Sequence, residues 1–440
     1  MHPLSRPVSL AAALLLSTPA LAQSDTAAVR RELHEMKQKY DASLDKMRRE
    51  YEARLQSLEG RLKATEAKTT ATQATSPRPP ASSSSSASAF NPAIGVVLDG
   101  KYAAYKKDPG NYRMPGFALG AEAGLPDRGF AIGESEVNFS ASVDQVLYGN
   151  VTIAVEGNGE VSVEEAYLQS TGLPWGFTVK GGRFFSGIGY MNEQHAHVWD
   201  FADTALPYRA FLGGQLGDDG VQLRWLAPTD FFLEFGGEAL RGDSFPAGGA
   251  DNRGAGQFSG FAHAGTDIGE SHSVRGGLSY LRSLAHDRAT GPDIYSGRAD
   301  TGIVDLVYKW APGGNPVNTN LKLQGEYFYR RENGEFNTLA YSGTQTGWYA
   351  QAVYQFMPQW RVGLRHDQVE ASAVDVALAG SVLDNMDASP KRNSVILEYN
   401  TSEFGRFRLQ YNRDQSRTEP DDQYLLQYTI TLGAHGAHAY

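Results

Sequence analysis

Residues 423–433, "QYLLQYTITLG", carry a clear pattern of alternating side chains. Its alternate positions form an apolar, aromatic set (Tyr424, Leu426, Tyr428, Ile430, Leu432) and a mostly polar set (Leu425, Gln427, Thr429, Thr431). Because successive side chains of a β-strand point to opposite faces, the stretch predicts a strand with one apolar face and one mostly polar face. The two faces must therefore lie in two different environments, and the rest of the chain indicates which environment each face meets.

The first residues predict export from the cytoplasm. Arg6 precedes an apolar run at 8–16 and a small-x-small cleavage pattern at 20–22, which is typical of a signal peptide over residues 1–22. A membrane anchor is the alternative, but the run is too short to span a bilayer. The 440 residues contain no cysteine, and no apolar run of about 18 residues follows the signal, which excludes a helical membrane protein. The net charge of −10 argues against nucleic acid as a partner.

Residues 23–68 predict an α-helical coiled coil. Their apolar positions follow an eleven-residue repeat (Val29, Leu33, Met36, Tyr40, Leu44, Met47, Tyr51, Leu55, Leu58, Leu62). An eleven-residue repeat favours a straight or slightly right-handed bundle, and a helix lying on a membrane is the alternative. Residues 69–89 are rich in Ser, Thr, Pro and Ala and predict a disordered linker.

Residues 90–440 contain about sixteen alternating segments. They are 93–105, 131–143, 145–156, 160–170, 175–185, 219–227, 230–240, 256–265, 272–282, 301–311, 319–330, 347–357, 359–369, 392–400, 404–413 and 423–433. Short turns alternate with long Gly/Asp/Asn-rich connections, predicted at 106–128, 186–217, 242–255, 284–299, 331–345 and 370–390. This rhythm predicts an all-β transmembrane barrel of about sixteen antiparallel strands. A β-propeller would need a repeating blade sequence, which is not visible. The apolar face of residues 423–433 is therefore expected to meet lipid.

The third long connection is expected to fold into the barrel. Apolar and aromatic side chains make up much of it, which a loop exposed to solvent would not need. We predict that it forms the pore constriction, and its candidate residues are His195, His197, Trp199, Asp200, Asp203 and Arg209.

Charged positions on the inward faces differ between the two halves of the barrel sequence. The predicted pore-lining basic residues are Lys322, Arg330, Arg361, Arg365, Arg406 and Arg408, and the acidic ones are Glu134, Glu136, Glu165, Glu234 and Glu238. Their segregation by strand would set a transverse field across the lumen that biases ion selectivity. Solvated charges without a special role are the alternative for any one of them.

Two histidine pairs are weak metal candidates. His195 and His197 lie near Asp200, and imidazole with carboxylate suits zinc; His435 and His438 form the second pair. No cofactor is expected. No Ser/His/Asp arrangement near a glycine elbow is visible, so we do not expect an enzyme.

Four stretches resemble the phosphate-selective porin (O/P-type) superfamily and its relatives. They are "FNPAIGVVLDGKY" at 90–102, "VKGGRFFSGIGYMNEQH" at 179–195, "LGDDGVQLRW" at 216–225 and "LGAHGAHAY" at 432–440. The resemblance implies a sixteen-stranded, trimeric, substrate-biased pore. The N-terminal rod departs from the plain phosphate porin and is similar in layout to sugar porins with a periplasmic coiled coil.

The sequence thus predicts a bacterial outer-membrane porin for small hydrophilic solutes or ions, with its coiled coil in the periplasm. Sixteen strands leave an aqueous lumen, and the chain has no globular segment to plug it, which argues against energy-driven uptake. The predicted partners are outer-membrane lipid, two further copies in a homotrimer, the solutes and peptidoglycan. A zinc-binding receptor and an envelope-tethering protein are the alternatives.

Overall fold

The computed structural model describes residues 92–120, 123–157, 159–249 and 254–433. The predicted signal peptide, coiled coil and linker, and the tail residues His435, His438 and Tyr440, lie outside the described residues. Among the described residues, no helix has the length and apolar character needed to cross a membrane.

Seventeen β segments make up most of the described chain. They are β1 (Ala93–Tyr105), β2 (Gly129–Ile132), β3 (Ser135–Ser142), β4 (Leu147–Val155), β5 (Val161–Ser170), β6 (Phe177–Phe185), β7 (Gly217–Leu226), β8 (Phe232–Leu240), β9 (Gln257–Ile268), β10 (His272–Thr290), β11 (Asp293–Trp310), β12 (Asn320–Phe336), β13 (Leu339–Met357), β14 (Trp360–Ala371), β15 (Lys391–Ser402), β16 (Gly405–Gln415) and β17 (Asp421–Gly433). One α-helix, α1 (Leu206–Leu212), and 3₁₀ turns at Pro109–Asn111, Pro174–Gly176, Ala196–Val198, Pro312–Gly314 and Val376–Leu378 lie between strands.

The segments form one closed antiparallel barrel. Each strand pairs with its neighbours in sequence, and β17 pairs with β1 to close the sheet. Both β2 and β3 pair with β1, so they are one barrel strand interrupted at Gly133 and Glu134. At this interruption the Gly133 N–H donates to the Asp99 carbonyl over 2.7 Å. The count is therefore sixteen barrel strands, which confirms the predicted fold class.

The outer face of the barrel is apolar. In β17, Tyr424, Leu426 and Leu432 are exposed while Gln423, Gln427 and Thr429 are buried inside, as the alternation predicts. Aromatic pairs on the outer face lie near the short turns, including Phe407 against Tyr428 with ring centroids 4.0 Å apart. An apolar outer band edged by aromatic rings and a polar interior are the marks of a transmembrane barrel.

Two predicted long connections are wrong. Strands β10 and β11 continue to a tight turn at 291–292, and β12 and β13 continue to a turn at 337–338, where loops 284–299 and 331–345 were expected. The outer positions of these strand ends include the exposed Arg298, Arg331 and Glu335, whereas Tyr295 and Phe336 are buried inside the barrel. The pattern of apolar outer and polar inner positions is therefore lost from the sequence although the backbone pairing continues.

An apolar cluster lies inside the barrel, between two long loops and the wall. The loop L1 (residues 106–128) contributes Phe117, and the loop L3 (residues 186–216) contributes Phe211 in α1. Phe211 contacts Phe117 with ring centroids 5.9 Å apart and Phe328 of β12 at 5.4 Å. All seven residues of α1 are buried. Burial of these apolar side chains stabilises L3 in a position inside the lumen.

Candidate functional site

Two wall carboxylates bind the first residues of L3. Glu238 of β8 accepts the Gly187 N–H over 2.8 Å and also the Ser186 hydroxyl. Glu326 of β12 accepts the N–H groups of Tyr190 and Met191, at 3.1 and 3.2 Å. Each carboxylate thus satisfies backbone donors that would otherwise be buried without partners, which orients the loop as it enters the lumen.

Farther along L3, Asp200 pairs with two cations of the wall. Its carboxylate accepts hydrogen bonds from Lys322 Nζ at 3.0 Å and Arg361 Nη2 at 2.7 Å. Burial alone would raise the pKa of Asp200, but the charges of Lys322 and Arg361 outweigh burial and hold this pKa well below its usual range. The prediction that Asp200 joins the two histidines is therefore wrong, because nearby cations bind its carboxylate instead.

Asp203 is the most fully paired residue of L3. Its carboxylate accepts from Arg365 at 2.6 Å, Arg392 at 2.8 Å, Gln410 at 2.7 Å and Asn412 at 3.0 Å. Burial would raise the pKa of Asp203, but Arg392 and Arg365 together keep it well below its usual range. Both guanidiniums are almost fully buried, so the pairing has displaced water from this part of the lumen.

Backbone carbonyls of L3 complete these contacts. Arg408 donates to the Trp199 carbonyl over 2.7 Å, and Arg406 donates to the His197 carbonyl. Glu398 of β15 balances the pair by accepting from Arg408 and Arg361, at 2.9 and 3.0 Å. We call the inner face of β12–β16 the anchoring wall, since it holds the middle of L3 by charge-assisted hydrogen bonds.

The histidines of L3 turn to a different part of the barrel. His197 Nδ1 lies 2.7 Å from Glu136 Oε1, and His195 Nδ1 lies 3.2 Å from Glu136 Oε2. His195 also approaches Glu164 through Nδ1 at 3.1 Å and Glu165 through Nε2 at 3.0 Å. Burial lowers the pKa of His195, but the hydrogen bonds to Glu136, Glu164 and Glu165 outweigh burial and raise it well above its ordinary value.

A β-bulge explains why two adjacent glutamates point inward. The pairing of β4 with β5 shifts between Thr152, which faces Glu165, and Ile153, which faces Val163, so Glu164 is the extra residue. A bulge changes the direction of a side chain relative to regular alternation. Glu164 therefore joins Glu165 in the lumen, and Glu134 lies near both Glu136 and Glu164.

A cavity of about 310 Å³ adjoins the histidines on this side of the lumen. It is lined by Asn138, Asn150, Glu165, Tyr167, Lys180, Phe185, Glu193 and His195. We call the inner face of β3–β8 the open wall, since side chains of this face line the cavity. By contrast, Arg365, Arg392 and Arg408 on the anchoring wall are at most 1% accessible.

The other predicted site residues take several positions. Lys322, Arg361 and Arg406 keep 14–19% of their side-chain surface, whereas Arg330 is buried beside Gln345 of β13. Arg209 is buried and donates to the Gly124 carbonyl of L1 over 2.9 Å. Trp199 donates its indole N–H to the Gln194 carbonyl within L3. The predicted pore-lining role of these residues stays a prediction.

Sequence reasoning missed three glutamates that contact L3 or its partners. Glu326 and Glu398 lie on inward faces that the alternation correctly identifies, so a complete list of inward charges would have included them. Glu164 carries no such signal, because a regular strand that points Glu165 inward points Glu164 outward.

The fold and this site define a porin-like transmembrane β-barrel. Solved structures of similar fold include an anion-selective porin from Comamonas acidovorans, with a TM-score of 0.51, 12% identity and coverage of 78% of this chain and 99% of that one. A trimer form of OmpT, an outer membrane protein of Vibrio cholerae, has a TM-score of 0.50, 13% identity and coverage of 77% and 98%.

The chain belongs to the family of an uncharacterized protein of Aquifex aeolicus (strain VF5), to which it is 31% identical over 391 residues, 80% of each chain. No protein-family model matches the chain. The resemblance to the O/P-type porins rests on the sequence motifs alone.

Proposed function

We propose that this protein is an outer-membrane diffusion channel for small hydrophilic solutes or ions, with L3 as its constriction. The observation that carries the proposal is the position of L3 inside a closed barrel, bound by buried ion pairs to the anchoring wall. A channel needs a constriction that solute flow does not displace, and buried pairs provide that rigidity.

The passage runs along the open wall. The cavity beside Lys180 and Glu193 and the accessible side chains Arg224 and Glu234 support this route. Between L3 and the anchoring wall, Arg365, Arg392 and Arg408 are at most 1% accessible, so paired side chains fill that part of the lumen. Solutes would therefore pass Lys180, Glu193 and Arg224, beside the acidic cluster around Glu136.

The test is single-channel recording in planar bilayers. Because the chain contains no cysteine, an introduced cysteine is the only thiol that a reagent can modify. A Lys180→Cys variant should conduct, and a charged methanethiosulfonate reagent should then reduce its conductance. Ser394→Cys is the matched control, because Ser394 faces inward on the anchoring wall but is only 2% exposed. The reagent should leave this variant unchanged. Absence of channels from correctly folded protein would refute the function, and block of Ser394→Cys alone would refute the route.

We propose further that the barrel assembles as a homotrimer, joined beneath the membrane by the coiled coil of residues 23–68. The apolar outer face can pack against neighbouring barrels as well as lipid, the eleven-residue seam needs partners, and the similar OmpT structure is a trimer form. Replacing Leu44 and Leu55 by Asp should unfold the rod while the barrel still inserts and conducts. The mass of the protein in mild detergent measures the assembly, and a monomeric mass for the unaltered chain would contradict it.

A role for the rod in tethering the barrel to peptidoglycan is a separate proposal that rests on the sequence repeat. Deletion of residues 23–68 should then weaken recovery of the barrel with isolated cell wall. Equal recovery of the deletion variant and the full chain would rule the tether out.

A further inference from the structure

The junction between L3 and the open wall brings together donor atoms suited to a metal ion. One ligand atom from each of Glu136, His195 and His197 lies within 4.8 Å of the others, and Glu134, Glu136 and Glu164 form a second such group. The two groups share Glu136, so one small volume holds two imidazoles and three carboxylates. Imidazole nitrogen with carboxylate oxygen is a donor set for zinc and similar transition metals.

The distances between these donors match the edges of a small coordination polyhedron. Metal–ligand bonds of about 2.0–2.1 Å at tetrahedral angles place neighbouring donors about 3.3 Å apart. His195 Nδ1 lies 3.2 Å from Glu136 Oε2 and 3.1 Å from Glu164 Oε2, and His197 Nδ1 lies 2.7 Å from Glu136 Oε1. All donor pairs of Glu136, His195 and His197 lie within 4.8 Å, so these side chains would close by at most about 1.5 Å around a bound ion.

Charge at the junction favours a cation. Glu134, Glu136 and Glu164 lie together, and Glu165 adjoins His195, so the junction is rich in carboxyl groups. Buried carboxylates are costly unless they are paired or bind a metal. A divalent ion bound by neutral imidazoles would offset part of this negative charge and would release any proton that the histidines carry.

The second nitrogen of His195 supplies an independent indication. Its Nε2 lies 3.0 Å from Glu165 Oε2, while Nδ1 faces Glu136 and Glu164. A histidine that binds a metal typically donates its other ring N–H to a carboxylate, which fixes the tautomer and the ring orientation. The bulge that points Glu164 and Glu165 inward together is what produces this arrangement.

We propose that Glu136, Glu164, His195 and His197 form a binding site for a divalent transition-metal ion, which joins L3 to β3 and β5. Glu165 is the positioning residue that orients His195, and Glu134 adds negative charge beside the site. The ion would hold the one edge of L3 that the anchoring wall does not reach. This proposal concerns binding and stands whether or not the barrel conducts.

The test is titration of Zn²⁺ against the full chain, folded in detergent, in competition with a chromogenic chelator. Because His435 and His438 provide other imidazoles, both are replaced by Ala in every sample. This background should bind one tight equivalent of Zn²⁺, and His195→Ala with His197→Ala should abolish it. Glu165→Gln should weaken the affinity about 10–100-fold, the usual effect of losing such a carboxylate partner.

His366→Ala is the matched control, since His366 contacts Asn393 and lies apart from the cluster; its binding should equal that of the background. X-ray absorption spectroscopy at the zinc edge, on the Zn²⁺-loaded protein that lacks only His435 and His438, should show two imidazole ligands. This measurement tests the proposal even if the double variant does not fold. Absence of a tight equivalent in the background would overturn the proposal and leave an ion-paired cluster. If the double variant still bound Zn²⁺ as tightly, or if the spectrum showed oxygen ligands alone, the assignment of His195 and His197 as ligands would be refuted.

Discussion

The anchoring wall and the open wall hold the same loop in two different ways. On the anchoring wall, Asp203 has four side-chain partners and its two guanidiniums are buried. On the open wall, L3 approaches through two histidines beside a cavity, and Glu193 pairs with Arg224 while keeping 30% of its surface accessible. The difference shows how a barrel positions an inner loop. Buried ion pairs hold one edge of the loop against the wall, and the opposite edge borders the cavity.

Breaking the anchoring wall should have the largest effect. Asp203→Asn leaves the buried charges of Arg365 and Arg392 without their shared carboxylate, so the free energy of unfolding should fall by about 3–5 kcal/mol. Glu193→Gln makes the same chemical change on the open side, where solvent screens the pair with Arg224, and should cost below about 1 kcal/mol. Urea unfolding of both variants in lipid vesicles measures the difference. Equal losses would contradict the distinction between the walls.

A smaller effect is expected from the hydroxyl of Tyr208. It donates to Glu326 over 2.9 Å and accepts the Met191 N–H, all in buried surroundings. Tyr208→Phe should therefore lower the free energy of unfolding by about 1–3 kcal/mol, because the buried Glu326 carboxyl group loses a hydrogen-bond donor.

The control for this change is Tyr280→Phe, which removes a hydroxyl that also donates to a carboxylate, that of Asp300, but at an exposed site. Its effect should stay within about 0.5 kcal/mol. Thermal unfolding of both variants, followed by the heat-dependent shift in gel migration, would compare them. A larger loss for Tyr280→Phe would show that burial does not decide the contribution.

The smallest expected effect is the change in the stability contribution of Asp203 at acidic pH. The pKa of Asp203 is lowered in the folded barrel, whereas an unfolded aspartate has a pKa of about 3.9. The contribution of Asp203 is therefore fully present above about pH 4 and is lost as the pH falls through the folded-state pKa. The stability difference between the unaltered chain and Asp203→Asn should stay constant from pH 7 to about pH 5 and shrink only below about pH 4. A decline that begins near neutral pH would contradict the ion-pair assignment.

Much of the barrel was predictable because its signal is local. The alternation in residues 423–433 correctly identifies the lipid face of β17, and sixteen such segments give the correct strand count. The apolar content of 186–217 indicates an infolded loop, and α1 is indeed buried. The extensions of β10–β13 were missed because their outer positions are polar and their inner positions include buried aromatic rings, so the apolar-outside pattern on which the prediction depends is absent.

The order of apolar and polar residues along short segments was enough to predict the sixteen strands, the inward faces and the burial of L3. The pairing of the charges, by contrast, depends on the folded barrel. Asp200 and Asp203 meet cations from strands more than a hundred residues away, and the histidines meet Glu136 and Glu164. These pairings depend on barrel closure, on the path of L3 through the lumen and on one bulge in β5. They are long-range consequences of geometry and electrostatics, which a local pattern does not record.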